Sequence, residues 1–514
     1  KSTFMFKNHP KGLLAASLAN MGERFGFYTM MGILTLFLMS KFGLSGTKAG
    51  IIYSVFYFSI YILALVGGII ADKTRNYKGT ILAGILLMAL GYVVLAYPSG
   101  TPVPANKFTF FLIITCLGLF LIAFGNGLFK GNLQALVGQM YDTPEHSKMR
   151  DSGFQLFYMF INVGAIFAPI FAVAIRNWWV QSHGFQYNAD LPALAHAHLD
   201  NTITTEGAQR LQSIASEVGY TGADLTAFSK EYLNLFTTGF HYAFAIAIGA
   251  MLVSLVIYIK NKRIFPDPKA KTEKAHGLGE NEMPASEVKQ RIYAVLAVLA
   301  VVIFFWFSFH QNGLTLTYFA KDYTDLSKID VDLGFTRLKG AELFQSINPF
   351  FVVFLTPIIM AFFGWLRAKG KEPSTPKKIA LGMGIAALAY VVMALGSQGL
   401  PLDSAREAMG GLKDAERVTP WLLIGTYFIL TVAELFISPL GISFVSKVAP
   451  PKLQGIMQGM WLAATAIGNQ LLFIGAIFYH AIPIWATWAI FVGACLISMF
   501  TMIFMVKWLE RVAK

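Results

Sequence analysis

Apolar runs at about residues 12–39, 47–71, 79–97, 108–140, 152–176, 237–259, 291–320, 341–366, 378–397, 419–447, 453–478 and 484–507 constrain this chain more than any other feature. Each is long enough to cross a bilayer as a helix, since ~20 residues rising ~1.5 Å apiece cover the hydrocarbon core. In lipid the backbone polar groups must be satisfied inside the spanning structure, so runs of this length dictate an all-α membrane protein with twelve transmembrane helices. Charge agrees: 13% of the 514 residues are Asp, Glu, Lys or Arg, about half the share in a soluble domain. The net charge of +13 sits in short connections between the runs. There it orients the chain in a membrane, and without a basic stripe interleaved with exposed aromatics it does not mark nucleic-acid binding. Cys116 and Cys495 lie inside apolar runs and suggest neither a disulfide framework nor a metal site. No small-residue cleavage site follows the first run, so that run is expected to stay as a span.

A polar, charged stretch divides the runs six and six. The expected organisation is a six-helix bundle over 1–260, a linker over 261–290 and a second six-helix bundle over 291–514. If the N-terminus is cytoplasmic, 26 of the 41 Lys and Arg fall on the cytoplasmic side and 13 on the other. That excess predicts a multi-pass protein with both termini cytoplasmic. The compact loops suggest a bacterial-type inner (cell) membrane. Residues 177–235 form the one long loop on the far side, with an amphipathic stretch over Gln209–Val218 that reads as a short surface helix. His196 and His198 lie in the same loop, but with no third ligand in view no metal is expected.

Polar residues line up inside several runs. Asn20, Glu23, Arg24, Phe27 and Tyr28 share one helical face of span one. Asn126, Lys130 and Gln134 follow at successive i+4 steps in span four, and Gln155, Tyr158 and Asn162 share a face of span five. Span seven ends in His310-Gln311-Asn312, span eight carries Gln345 and Asn348, span ten Glu434 and Ser438, and span eleven Trp461, Thr465 and Asn469. A charge at membrane depth costs roughly 2.5–3.5 kcal/mol, so such groups face a protein interior or a wet cavity. Stripes on this many spans, from both sides of the linker, predict a polar cavity along a transport pathway. By rise, Lys130 lies ~33 Å and Glu434 ~20 Å in from the far side, and His310 ~28 Å in from the terminal side. Glu23, Arg24, Lys130 and Glu434 sum to zero charge, as a buried set that pairs internally should. No Asp-rich metal motif, His-x-x-x-His cluster or nucleotide loop is present, and neither an enzyme nor a cofactor is expected.

The six-plus-six layout resembles the major facilitator superfamily, as does the loop Gly67-Gly68-Ile69-Ile70-Ala71-Asp72-Lys73 with Arg75 and Lys78. More narrowly, the chain resembles the proton-dependent oligopeptide transporter family. Glu23-Arg24-Phe25-Gly26-Phe27-Tyr28 looks like the end of that family's first-span motif, and Phe129-Lys130-Gly131-Asn132 like its fourth-span lysine motif. Phe157-Tyr158-Met159-Phe160-Ile161-Asn162-Val163-Gly164 matches its fifth-span signature, and Phe344-Gln345-Ser346-Ile347-Asn348-Pro349 is also typical. The resemblance implies symport of di- and tripeptides with protons, with no nucleic acid and no obligate protein partner. It implies that Arg24 and Lys130 meet the peptide carboxylate, that Asn162, Asn348, Glu434 and Ser438 hold backbone and amino groups, and that Tyr28, Tyr61 and Trp461 wall the pocket. Lys130 and Glu434 are the expected gating pair, with Glu23, His310 and Glu434 as proton carriers. The chain departs from the family pattern in three places. Asn20 stands where the first-span motif has its first Glu, Phe27 replaces a Tyr, and His310 occupies a usually acidic position. The linker is too short and polar for the extra helix pair of many relatives. Glu23 and Arg24, as sequence neighbours, are expected to serve separate partners, Arg24 the peptide or the span-seven side and Glu23 protons or Lys130. The alternative is transport of another small anionic or zwitterionic solute, such as nitrate or an amino acid derivative.

Overall fold

A computed structural model describes residues 6–267, 283–450 and 453–514. Among them all twelve expected spans form helices. The first six are α1 (Gly12–Phe42), α2 (Gly46–Thr74), α3 (Tyr77–Ala96), α4 (Phe108–Met140), α5 (Arg150–Ser182) and α8 (Leu225–Asn261), with α6 (Leu191–Leu199) and α7 (Thr205–Glu217) between the last two. The later spans are α9 (Ala285–Phe309) continued by α10 (Thr315–Asp322), α11 (Ile347–Ala368), α12 (Thr375–Gly396) and α14 (Pro420–Val448). They end with α15 (Gln454–Gln470) continued by α16 (Leu472–Ala481), and α17 (Ile484–Ala513). A short helix, α13 (Asp403–Ala408), lies between α12 and α14, and a two-stranded hairpin pairs Val331 with Leu338 and Asp332 with Arg337. The polar linker expected at 261–290 falls largely outside the described residues.

Local sequence explains most boundaries. Ser45 accepts a hydrogen bond from Lys48 N at 3.2 Å and Asn76 from Gly79 N at 2.9 Å, so both helices begin on side-chain caps. Pro349 falls in the first turn of α11, where a missing N–H removes no helical bond. Gly67 of the superfamily-like motif and Gly127 of α4 act by allowing contact. A Cβ on Gly67 would lie 2.1 Å from Gly127 O, and one on Gly127 would lie 2.3 Å from Leu63 O. α2 and α4 therefore cross backbone to backbone, a packing that membrane helices, lacking a hydrophobic drive between them, obtain from small residues.

Three expectations change. Span six starts at Leu225, twelve residues before its apolar run at 237, because Asp224 caps it and Phe228, Tyr232, Leu233 and Phe236 bury themselves against α6 and α7. Span five likewise runs on to Ser182, so the long loop narrows to 183–224. The expected surface helix is α7, amphipathic as read, with Leu211 and Ile214 buried beneath it. Span seven is a helix broken by a 3₁₀ turn over His310–Gly313.

The face carrying the chain ends is here the terminal face, and the opposite one the distal face. Hydrogen bonds and ion pairs between the first and last six spans gather, among the described residues, at the distal face, while α15 packs against α2 nearer the terminal face, where a Cβ on Gly459 would lie 3.1 Å from Leu65. Arg176 pairs with Glu342, Asn177 Nδ2 donates to Arg337 O at 2.7 Å and Lys339 O at 2.9 Å, and Ser346 Oγ donates to Ile166 O at 2.7 Å. Tyr318 Oη donates to Gly46 O at 2.6 Å. Above these, α6 and α7 form a cap reaching across to the α13 segment. Thr204 Oγ1 donates to Ala408 O at 2.5 Å, Arg210 Nη2 to Leu412 O at 3.1 Å and Arg417 Nη2 to Asp190 Oδ2 at 2.5 Å. The cap packs on bare backbone: Cβ atoms on Gly410 and Gly411 would lie 2.9 Å from Arg210 and 2.6 Å from Asp190. Among the described residues no hydrogen bond or ion pair joins the two sets of spans at the terminal face.

Candidate substrate and proton site

Glu23 and Arg24 sit mid-way along α1, 0% and 2% exposed. Contrary to the expectation of separate partners, they pair with each other. Arg24 Nε donates to Glu23 Oε2 and Nη2 to Oε1, both at 2.5 Å. Adjacent helical residues point apart at Cβ, but the guanidinium stem is long enough to fold back. A buried carboxylate with no other donor also leaves a large penalty if unpaired. Arg24 turns toward span four, not span seven: Nη2 also donates to Asn126 Oδ1. Its guanidinium lies 4.3 Å from the Phe27 ring centroid and 5.6 Å from that of Tyr28.

Lys130, one helical turn beyond Asn126, lies within electrostatic reach of Arg24 and Glu23 but makes no hydrogen bond or ion pair among the described residues. Tyr61 of α2 lies within such reach of Tyr28, Arg24 and Glu434. Across the bundle Asn348 Nδ2 donates to Glu434 Oε2 at 3.0 Å and to Thr431 Oγ1 at 2.8 Å. The expected gating pair is thus not in contact: Lys130 and Glu434 form no ion pair with each other and lie on opposite sides of the site. Asn162 donates to Tyr158 O in its own helix at 3.2 Å, and among the described residues neither it nor Ser438 hydrogen-bonds another expected site residue.

His310 occupies a second, aromatic part of the site. Its ring stacks on Tyr57 of α2 at 4.6 Å and 27° and on Trp306 of α9 at 5.0 Å and 22°. Nδ1 donates to Asn469 Oδ1 of α15. Trp461 meets Trp306 edge-on at 6.4 Å, and Tyr57 stacks on Tyr61 at 5.9 Å. Sequence reasoning left Tyr57, Trp306, Thr431 and Asn126 out of the site. The i, i+4, i+8 spacing of Tyr53, Tyr57 and Tyr61 was a usable signal for the first of these.

His196 and His198 hold structural hydrogen bonds, to Ser40 O at 2.5 Å and Thr226 Oγ1 at 2.9 Å. Burial pushes the His196 imidazole below its ordinary value of 6.5. Asp403, Glu407 and His480 come within 4.8 Å of one another, but Arg406 Nη2 donates to Asp403 at 2.7 Å and supplies the positive charge there. Although burial works to raise it, the Asp403 carboxyl is held at about 2 by His480 and Arg406.

Twelve spans, a charged site buried mid-bundle and a bridged distal face define a secondary transporter of the major facilitator type. The chain belongs to the POT family (PTR2), the proton-dependent oligopeptide transporters, whose family model matches residues 78–278 and 271–484. This is a family of transporters, not of enzymes. The chain is 27% identical to dipeptide and tripeptide permease B of Xenorhabdus bovienii, over 99% of this chain and 97% of that protein. It is 26% identical to the peptide transporter YePEPT of Yersinia enterocolitica, over 90% and 87%. Its fold matches the crystal structure of a POT family transporter in complex with 5-aminolevulinic acid, with TM-score 0.71, 21% identity and coverage of 99% and 98%.

Proposed function

We propose that this protein is a proton-coupled symporter of di- and tripeptides that works by alternating access, with residues 1–260 and 291–514 as the two rocking bundles. The observation that carries the reading is the split of charge across the site. Lys130 and Arg24 offer cations on one side, while Glu434, fixed by Asn348, offers an anion on the other. Two opposite charges a short distance apart are the constant feature of a short peptide. Its variable side chains then need loose aromatic walls such as Tyr28, Tyr61 and Trp461. The dipeptide and tripeptide permease named above supports the same substrate class, and the peptide transporter supports peptides as cargo.

Coupling follows from the Glu23–Arg24 pair. While Glu23 is ionised it occupies two guanidinium donors. A proton on Glu23 removes the charge that holds them and frees Arg24 for a substrate carboxylate. His310 shares the proton handling through a different contact, since a change of its charge acts on the α2–α9 stacking. Gradient-driven uptake that is unchanged in both Glu23→Gln and His310→Ala would sink this assignment. The excess of Lys and Arg at the terminal face supports a cytoplasmic location for both termini, which would make the distal face the external one.

Labelled dialanine taken into proteoliposomes tests the whole reading. Saturable uptake that rises with an inward proton gradient supports it, and gradient-independent or non-saturable uptake refutes it. The neighbouring structure with 5-aminolevulinic acid favours one alternative substrate, an amino acid derivative. If that is the cargo, excess unlabelled dialanine will fail to compete with it.

A further inference from the structure

The cap and the distal ends of the spans enclose a cavity of about 560 Å³ that the central site does not use. Its lining draws on both bundles and includes Tyr187, Phe236, Tyr318, Lys321, Glu342 and Arg406. It abuts the Tyr318–Gly46 hydrogen bond that ties α10 to α2. Pockets for small ligands run to roughly 300–1,000 Å³, so a short peptide fits.

Two lining groups of opposite sign are under-used. Glu342 is 1% exposed, and its Oε1 accepts from Arg176, while Oε2 accepts no hydrogen bond. A buried acceptor left unpaired is costly, and a ligand that supplies a donor recovers that cost. Lys321 has one charged neighbour, Asp322 Oδ1 at 3.5 Å, beyond a well-formed hydrogen bond. Asp322 is in turn engaged by Tyr479 at 2.9 Å and by Arg406 at 3.5 Å. Lys321 therefore keeps donors to spare. Tyr187, Phe236 and Tyr318 give the cavity aromatic walls that tolerate varied side chains.

We propose that this cavity is a second substrate site, an external antechamber that holds a zwitterionic short peptide by its ammonium group at Glu342 and its carboxylate at Lys321. The proposal rests on the peptide-transport reading above. It gives the 183–224 insertion a function, since without the cap the antechamber would have no roof.

Calorimetry with dialanine and trialanine on the full chain in lipid nanodiscs tests it. The expected result is two peptides bound per chain. Lys321→Gln should weaken the second site about tenfold or more, the loss of one charge-assisted contact, and Lys321→Arg should restore it. The paired variant Lys130→Gln with Glu434→Gln should lose the central site and keep the antechamber. One peptide per chain, lost in that paired variant, would overturn the antechamber and leave the transport reading standing. Two peptides per chain bound with unchanged affinities in Lys321→Gln would also overturn it. No dialanine binding by the unaltered protein would overturn both.

Discussion

Asp190 is the pivot of the distal clasp, and its replacement by Ala gives a sharp test of what holds the two bundles together at that face. The carboxylate belongs to the cap of the first bundle. Arg417, which meets it at 2.5 Å, is anchored in the second by bonds to Leu412 O at 3.0 Å and Lys321 O at 2.7 Å. The two side chains are 6% and 4% exposed, and Arg210 stands 3.5 Å from the same carboxylate. Removing one partner of a buried pair costs ~3–5 kcal/mol, because the other charge remains desolvated. Arg210 is 16% exposed and can turn to water, so the lower end applies, ~3 kcal/mol. If the pair exists only when the external face is shut, Asp190→Ala shifts the equilibrium toward opening on the order of a hundredfold. Spin labels at exposed Gln209 and Asp414, in a Cys116→Ser background, report the cap-to-loop distance by electron–electron resonance. The expected result is a second, longer population in Asp190→Ala, with little further change when Arg417→Ala is added. An unchanged distance distribution, or fully additive effects of the two substitutions, would refute the reasoning.

Three further outcomes follow from named contacts. Glu23→Gln should lower gradient-driven uptake by about tenfold or more, the scale of one charge-assisted pair, while peptide exchange without a gradient continues; proteoliposome assays in both modes separate the two. Gly441→Ala would put a Cβ 2.3 Å from the Trp461 ring, and such overpacking costs ~1–3 kcal/mol; the displaced indole should raise the KM of uptake more than it lowers the maximal rate, and an unchanged KM counts against Trp461 as a pocket wall. For His196, burial lowers the folded value below 6.5, so the unfolded chain binds the proton more readily and stability is lost as pH falls through 6.5 and below. The drop in Tm from about pH 7.5 to about pH 5.5 should accordingly shrink in His196→Gln.

What the sequence could and could not reveal follows from the range over which each signal acts. Spans are dictated by solvent, and lipid enforces that rule residue by residue, so all twelve were legible. The error at span six has the same origin. Leu225–Phe236 is helical because its aromatics pack on the cap, while its hydropathy, mixed with Lys230 and Glu231, reads as a loop. The break at His310–Gly313 was hidden in the same way, since no Pro marks it. Gln311 accepts locally from Thr315 Oγ1 at 2.8 Å, while Gln345 donates to Asn312 O at 2.9 Å from 33 residues away, a partner that only the fold brings there.

The central site was legible as a list of residues but not as a set of pairs. Periodicity places Glu23 and Arg24 on a face and says nothing of rotamers. Their pairing is decided by what each would otherwise lack in a dry interior. That distinction matters for coupling. With separate partners, Glu23 and Arg24 would respond to a proton independently. As a doubly bonded pair with Asn126 on the same guanidinium nitrogen, they would form, on the proposed reading, one switch in which a proton on Glu23 releases Arg24 to the peptide carboxylate. Asn20, where relatives have a second carboxylate, fits that economy: it is 2% exposed and uncharged, so Arg24 has one anion to release instead of two. On the proposed reading the family's first-span chemistry would reduce here to one carboxylate, and the remaining response to protons would fall to His310, held between Tyr57 of α2 and Trp306 of α9.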